Sequence, residues 1–105
     1  MSIFYNITGS TGVTVVLIAP DATRGIIKSI LLTNVHAPAD ATVTLFIEDD
    51  PASGATKKYN LIHTIAIPAD SSLILDSSSM FKFGETFGLY ITVGSSDTVD
   101  VIISN

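Results

Sequence analysis

The chain has 105 residues, 47% of them hydrophobic and 14% charged, with ten acidic residues against five basic ones, a formal net charge of -5 and no cysteine. That length suits one domain. The acidic balance argues against a nucleic-acid face, which needs clustered Lys and Arg, and the missing cysteine excludes disulfide frameworks and Cys-ligated zinc.

Charge is also sparse against the usual share of about 25%. Weakly charged apolar surface is therefore expected to be left for something other than the fold itself to cover. Residues 1–7 lack the basic start and long apolar run of a secretory leader. The longest apolar stretch, 13–20, is broken by Thr14 and falls far short of the roughly 20 residues of a membrane helix. The expectation is a soluble product of the cytosol, with no nucleic acid and no membrane among its partners.

Residues 1–6 open the chain with Ile3, Phe4 and Tyr5, a β-prone start, and 9–12 (GSTG) is a turn signal. Residues 13–18 (VTVVLI) are dense in β-branched side chains and read as a strand; 19–23 turns, with Pro20 presetting the first bend. The strongest β signal is 25–48. Within it, 25–34 reads as a strand with Ile26, Ile30 and Leu32 on one face and Ile27 and Leu31 on the other. Apolar residues on both faces predict a strand that is central or covered on both sides. Helical spacing of Ile27, Ile30 and Leu31 competes, but the β-branched content and the neighbouring strands favour strand.

Residues 35–41 turn, and 42–48 alternates, with Val43, Leu45 and Ile47 facing one way and Thr42, Thr44, Phe46 and Glu48 the other. The longest polar connection is 49–58. A strand over 59–67 would put Leu61, His63, Ile65 and Ile67 on one face. After a turn at 68–70 come a short strand at 72–76, an apolar piece at 80–83, a strand at 89–93, and a closing strand at 99–104 in which Val99, Val101 and Ile103 alternate.

About eight short strands separated by Gly, Pro, Asp and Ser predict an all-β fold, an antiparallel β-sandwich or jelly roll forming a single domain over 1–105. Pro20, Pro38, Pro51 and Pro68 all fall in proposed turns, as the missing amide hydrogen requires. The triplet Pro-Ala-Asp occurs at 38–40 and 68–70; shared turn chemistry accounts for it without a repeat.

No motif carries chemistry. Glu48, Asp49 and Asp50 are consecutive, but the spaced oxygen ligands of a calcium loop do not follow. His36 falls in a turn. His63 falls on an otherwise apolar strand face, where a hydrogen-bonded core histidine is commoner than a metal ligand. Ser77–Ser79 lack a nucleophile elbow, and residues 9–12 lack the Lys of a phosphate loop. Tyr5, Tyr59 and Tyr90 are candidates for a glycan platform, although tyrosine in strands more often belongs to a half-buried face. No catalytic, cofactor-binding or metal-ligating residue is assigned.

One resemblance goes further. The runs IIKSILLTN, VTLFIED, IAIP, LILD, the Gly84-Glu85 turn and the closing hairpin over 89–103 resemble small virion proteins of tailed bacteriophages, over about four-fifths of the chain. The resemblance implies a non-enzymatic capsid decoration or cement protein, with tail or neck accessory subunits and receptor- or glycan-binding modules as alternatives. It implies partners among virion subunits, the major capsid protein first. It also implies a homo-oligomer, a trimer at a capsid three-fold position, and a place in a virion assembled in the bacterial cytoplasm. By position, the contact candidates are Met1, Ile3, Phe4 and Tyr5 at the apolar start, His36 in its turn, and Asp49, Asp50, Lys57 and Lys58 around the long polar connection.

Overall fold

The structure, a computed structural model, describes residues 2–9, 14–19, 27–35, 39–49, 57–76 and 87–104. It contains eight strands: β1 (Ser2–Thr8), β2 (Val15–Ile18), β3 (Ser29–Asn34), β4 (Ala41–Asp49), β5 (Lys58–Ile67), β6 (Ser72–Leu75), β7 (Phe87–Val93) and β8 (Thr98–Ser104). They form two four-stranded sheets, sheet A in the order β1-β8-β3-β6 and sheet B in the order β2-β7-β4-β5, and every pairing is antiparallel. Of the two arrangements expected, this strand order is the jelly roll.

The topology follows from one long hairpin. Ser2 faces Ser104, Val15 faces Ile91 and Glu48 faces Lys58, so the residue numbers of each of these pairs, one from each of three ladders, add to 106. The chain is folded back on itself about the connection between β4 and β5, and the doubled ribbon then wraps so that β8 also pairs with β3 and β7 with β4. Each of the six ladders joins a strand of the first half to a strand of the second.

Alternation decides which faces meet. Ile30, Leu32, Val99, Val101 and Ile103 from sheet A and Val43, Leu45, Leu89 and Ile91 from sheet B are fully buried between the sheets, as period-2 patterning requires. β3 is central, as expected, but only one of its faces is buried: Leu31 on the other is half-exposed. Ile27 is buried although it precedes the strand. Tyr5 ties the sheets together near one edge, its hydroxyl donating to the Leu17 carbonyl at 2.7 Å.

Gly9 after β1, Asn34 at the end of β3, and the β5–β6 and β7–β8 turns meet at one end of the sandwich. Two four-residue turns there carry a positive φ at their third residue, Asp70 (58°) and Ser96 (69°). Each closes with an amide-to-carbonyl bond, Ser71 to Pro68 at 3.1 Å and Asp97 to Gly94 at 2.9 Å, the geometry of a type II turn. Pro68 thus lies in a turn as expected; Pro20, Pro38 and Pro51 lie outside the described residues.

Asn34, completely buried, clips this end together. Its amide group donates to the carbonyls of Ile67 (2.8 Å) and Ala39 (3.0 Å), and its backbone N–H donates to Ser71 O at 2.9 Å. The Thr-Asn that ends the strongest strand is therefore a structural knot. Gly9 is held between Asp97 O and Ser96 N–H, and a Cβ there would lie 2.1 Å from the Gly94 carbonyl oxygen, so only glycine fits.

The expected face Leu61, His63, Ile65, Ile67 does not form. Opposite β4, the partner of Val43 is Ile65 while the partner of Leu45 is Ile62, so His63 and Thr64 together stand opposite Thr44. A second irregularity follows between Leu45 and Phe46. These bulges turn His63 out to solvent, correcting the core-histidine reading, and leave Ile65 39% exposed. Thr64 sits at the bulge with φ 52°, a left-handed conformation that a β-branched side chain resists, while its N–H is held by Thr44 Oγ1 at 3.0 Å.

Two substitutions test these assignments by chemical denaturation. Thr64→Gly removes the left-handed strain and keeps the backbone bond, so it should stabilise by about 0.5–1 kcal/mol. Asn34→Ala leaves the buried Ile67 carbonyl and the part-buried Ala39 carbonyl short of a donor and should cost about 2–3 kcal/mol. A neutral result for Asn34→Ala would mean the clip contributes nothing.

Candidate functional site: the outer face of sheet A

In each strand of sheet A, one apolar triplet interrupts the alternation: Ile3-Phe4-Tyr5, Val101-Ile102-Ile103, Ile30-Leu31-Leu32 and Leu73-Ile74-Leu75. The outer two residues of each triplet face the core, fully or partly buried against it. The middle residue faces out. Register then does something that no single strand shows. Phe4 pairs with Ile102, Ile102 with Leu31, and Leu31 with Ile74, so the four middle residues form one row across the whole sheet. At the usual strand spacing the row is about 14 Å long. Its ends are the most exposed, Phe4 at 70% and Ile74 at 58%.

Short polar side chains border this stripe. On one side the row is Asn6, Asp100, Thr33 and Ser72. Within it the Asn6 amide donates to Asp100 Oδ1, and the hydroxyls of Thr33 and Ser72 are 2.8 Å apart. One pair further, Thr8 and Thr98 hydroxyls lie 3.3 Å apart. On the other side stand Ser104 and Ser29. An open depression of about 290 Å³ lies at the β1 end, lined by Phe4, Tyr5, Asn6, Asp100, Val101 and Ile102. None of the bordering side chains is long enough to fold over the stripe, and their polar groups are largely paired with one another.

The outer face of sheet B is built differently. Val16, Tyr90 and Phe46 form a row, with the Tyr90 and Phe46 rings stacked at 5.5 Å and 13°. The Lys58 ammonium sits 4.1 Å from the Phe46 ring centre, a cation–π contact worth about 0.5–1 kcal/mol. Phe46 is consequently only 3% exposed although it points away from the core. Sheet B thus covers the Phe46 ring, while Val16 at the end of that row stays 47% exposed; among the described residues no long side chain lies over the sheet A stripe.

The contact candidates from the sequence separate on this framework. Ile3 and Tyr5 pack against the core, so of the apolar start Phe4 is the one that faces outward on sheet A. Asp49, Lys57 and Lys58 lie on sheet B, at the mouth of the β4–β5 connection. There Asp49 Oδ1 accepts from the Lys57 N–H at 2.8 Å and the Asp49 N–H donates to Lys57 O at 3.1 Å. Lys58 is engaged on Phe46. Met1, His36 and Asp50 lie outside the described residues. Ile102, Leu31 and Ile74 are not among the contact candidates from the sequence; their signal is the out-of-phase apolar residue in each triplet.

Among the described residues no group of three or more His, Cys, Asp or Glu is placed to hold a metal ion, and no helix is long and apolar enough to cross a membrane. The three tyrosines lie apart: Tyr5 inside sheet A, Tyr90 in the stack on sheet B, and Tyr59 on edge strand β5 with its ring 6.0 Å from Phe87. A scan against family models, a search of curated proteins and a search of solved structures each find no match for the chain.

If the stripe serves contact rather than folding, its residues should be dispensable for stability. Ile74→Thr should change unfolding free energy by less than about 0.5 kcal/mol, whereas Ile30→Ala, one row inward, should cost about 2–5 kcal/mol. A large loss for Ile74→Thr in urea denaturation would assign the stripe to the fold instead.

Proposed function

We propose that the chain is a non-enzymatic structural protein of a virion, of the capsid decoration or cement kind, acting through protein–protein contacts. The observation that carries this reading is the uncovered Phe4–Ile102–Leu31–Ile74 stripe. An apolar row with a polar border is the usual anatomy of a contact surface. A particle subunit needs a rigid scaffold with such a surface and no reaction chemistry. The jelly roll is a frequent capsid architecture, which supports the reading by fold analogy alone, and the phage-protein resemblance of the sequence motifs points the same way. Partners are then other virion subunits, the major capsid protein first, and further copies of the chain.

The glycan-binding alternative draws less support, because the tyrosines it needs lie on three separate surfaces. Tail and neck subunits would use the same contact chemistry and differ in copy number.

The test is mass spectrometry of purified virions from the phage that encodes the chain, followed by incorporation of a Phe4→Ser/Ile74→Ser variant. Many copies per particle, and incorporation lost in a variant that still folds, are expected. A few copies would shift the reading to a tail or neck. Absence from the particle would refute it.

A further inference from the structure

Each sheet has two edges, and three of the four edge strands are blunted. β2 and β6 are four residues long, and β2 has a register shift of its own. β5 is long but carries two bulges and the left-handed Thr64. Short strands and bulges are the ordinary protections against edge-to-edge pairing. β1 has none of them. It is seven residues long, pairs with β8 without a break from Ser2 to Thr8, and contains no charged residue and no proline in SIFYNIT.

Two backbone bonds fix the hydrogen-bond parity of β1. Gly9 N–H donates to Asp97 O at 2.8 Å, and Val35 N–H donates to Thr98 O at 3.0 Å. Successive residues of an antiparallel strand direct their N–H and C=O to opposite sides. On β8, Val99, Val101 and Ile103 therefore turn to β1, while Thr98, Asp100 and Ile102 turn to β3. By register, Ile3, Tyr5 and Ile7 bond to β8. Phe4, Asn6 and Thr8 direct their N–H and C=O groups to the free edge, where no strand pairs with them among the described residues.

We propose that β1 pairs antiparallel with β1 of a second copy about a two-fold axis at Phe4, joining two A sheets into one eight-stranded sheet. The occupant is argued from self-complementarity. In this register Phe4 stands opposite the same residue of the second copy, Ile3 opposite Tyr5, and Ser2 opposite Asn6. Apolar residues meet apolar ones on both faces, and no charged residue enters the paired stretch despite the net charge of -5 on each copy. The parity fits, because Phe4 is one of the residues whose backbone groups point outward. A register centred on Asn6 has the same parity but sets Phe4 against Thr8. Centring on Phe4 also joins the two stripes end to end, into one apolar row of eight residues. The inference goes beyond the virion reading and does not depend on it, since a dimer forms or fails to form in the isolated chain. It replaces the three-fold association implied by the resemblance with a two-fold one.

Sedimentation velocity of the full chain over a range of concentrations tests the assembly, and amide hydrogen exchange tests the register. A dimer is expected, with the Phe4 and Asn6 amides protected and the Thr8 amide exchanging freely. Phe4→Lys places like charges directly opposite each other and should weaken the dimer by about tenfold or more. Ile74→Lys, at the far edge of the same face, should leave it unchanged. Phe4→Pro deletes one outward N–H without touching the β1–β8 ladder and should yield a monomer with an unchanged circular dichroism spectrum; if it unfolds, Phe4→Lys decides. A monomer at all concentrations, a trimer, or a dimer broken by Ile74→Lys but not by Phe4→Lys would overturn the proposal. A protected Thr8 amide would overturn the Phe4-centred register.

Discussion

A single doubled ribbon, held by backbone hydrogen bonds from the middle of the chain outward, is what every other feature depends on. Paired residue numbers return to 106 at β1–β8, at β2–β7 and at the start of β4–β5, with small excursions between. Along β4–β5 the sum climbs to 108 as the bulges insert two residues into β5. It falls to 105 at β3–β6, because the bend from Asn34 to Ala41 is longer than the one from Ile67 to Ser72. The arms compensate for each other. A slip of one residue that was not taken back would turn every following side chain to the opposite face. Asn34 stands at the bend where the compensation occurs and holds both arms there.

With register set, the inner faces have little freedom, and individuality lies on the outer ones. The two outer faces differ in the reach of their side chains. On sheet B, Lys58 lays its cation over Phe46, and Phe46 lies flat against Tyr90, so a long amphipathic side chain covers apolar surface. On sheet A the neighbours of the stripe are Ser, Thr, Asn and Asp, which are too short for that and bond with each other instead. The contrast is one of geometry more than of hydrophobicity.

The fold class and the core were legible in the sequence because both rest on alternation. Val43, Leu45 and Ile47, and Val99, Val101 and Ile103, face inward as their spacing says. Where local irregularity breaks the count, reading fails. Spacing alone puts His63 inside, because nothing in YNLIHTIAI announces two bulges, which arise from pairing with β4. Phe4 was visible as an exposed apolar candidate from its terminal position. Its companions were not, because Ile102, Leu31 and Ile74 belong to strands far apart in the chain and become neighbours only through register. Asn34 ended a conspicuous strand, but its role depends on carbonyls at Ile67 and Ala39 that no local pattern points to.

That no ladder among the described residues joins two strands of the same half has a consequence for synthesis. Once Asp49 has been added, four strands are complete and none of them has a partner, because β1, β2, β3 and β4 pair only with strands still to be made. The first sheet contact available is β4 with β5, and pairing then proceeds backward along the first half as the second half emerges. β1, the first of the eight described strands, pairs only with β8, the last of them, which must enter between β1 and β3. The oldest of these strands thus waits longest: the apolar residues of β1 have no strand partner in the fold until β8 has been added.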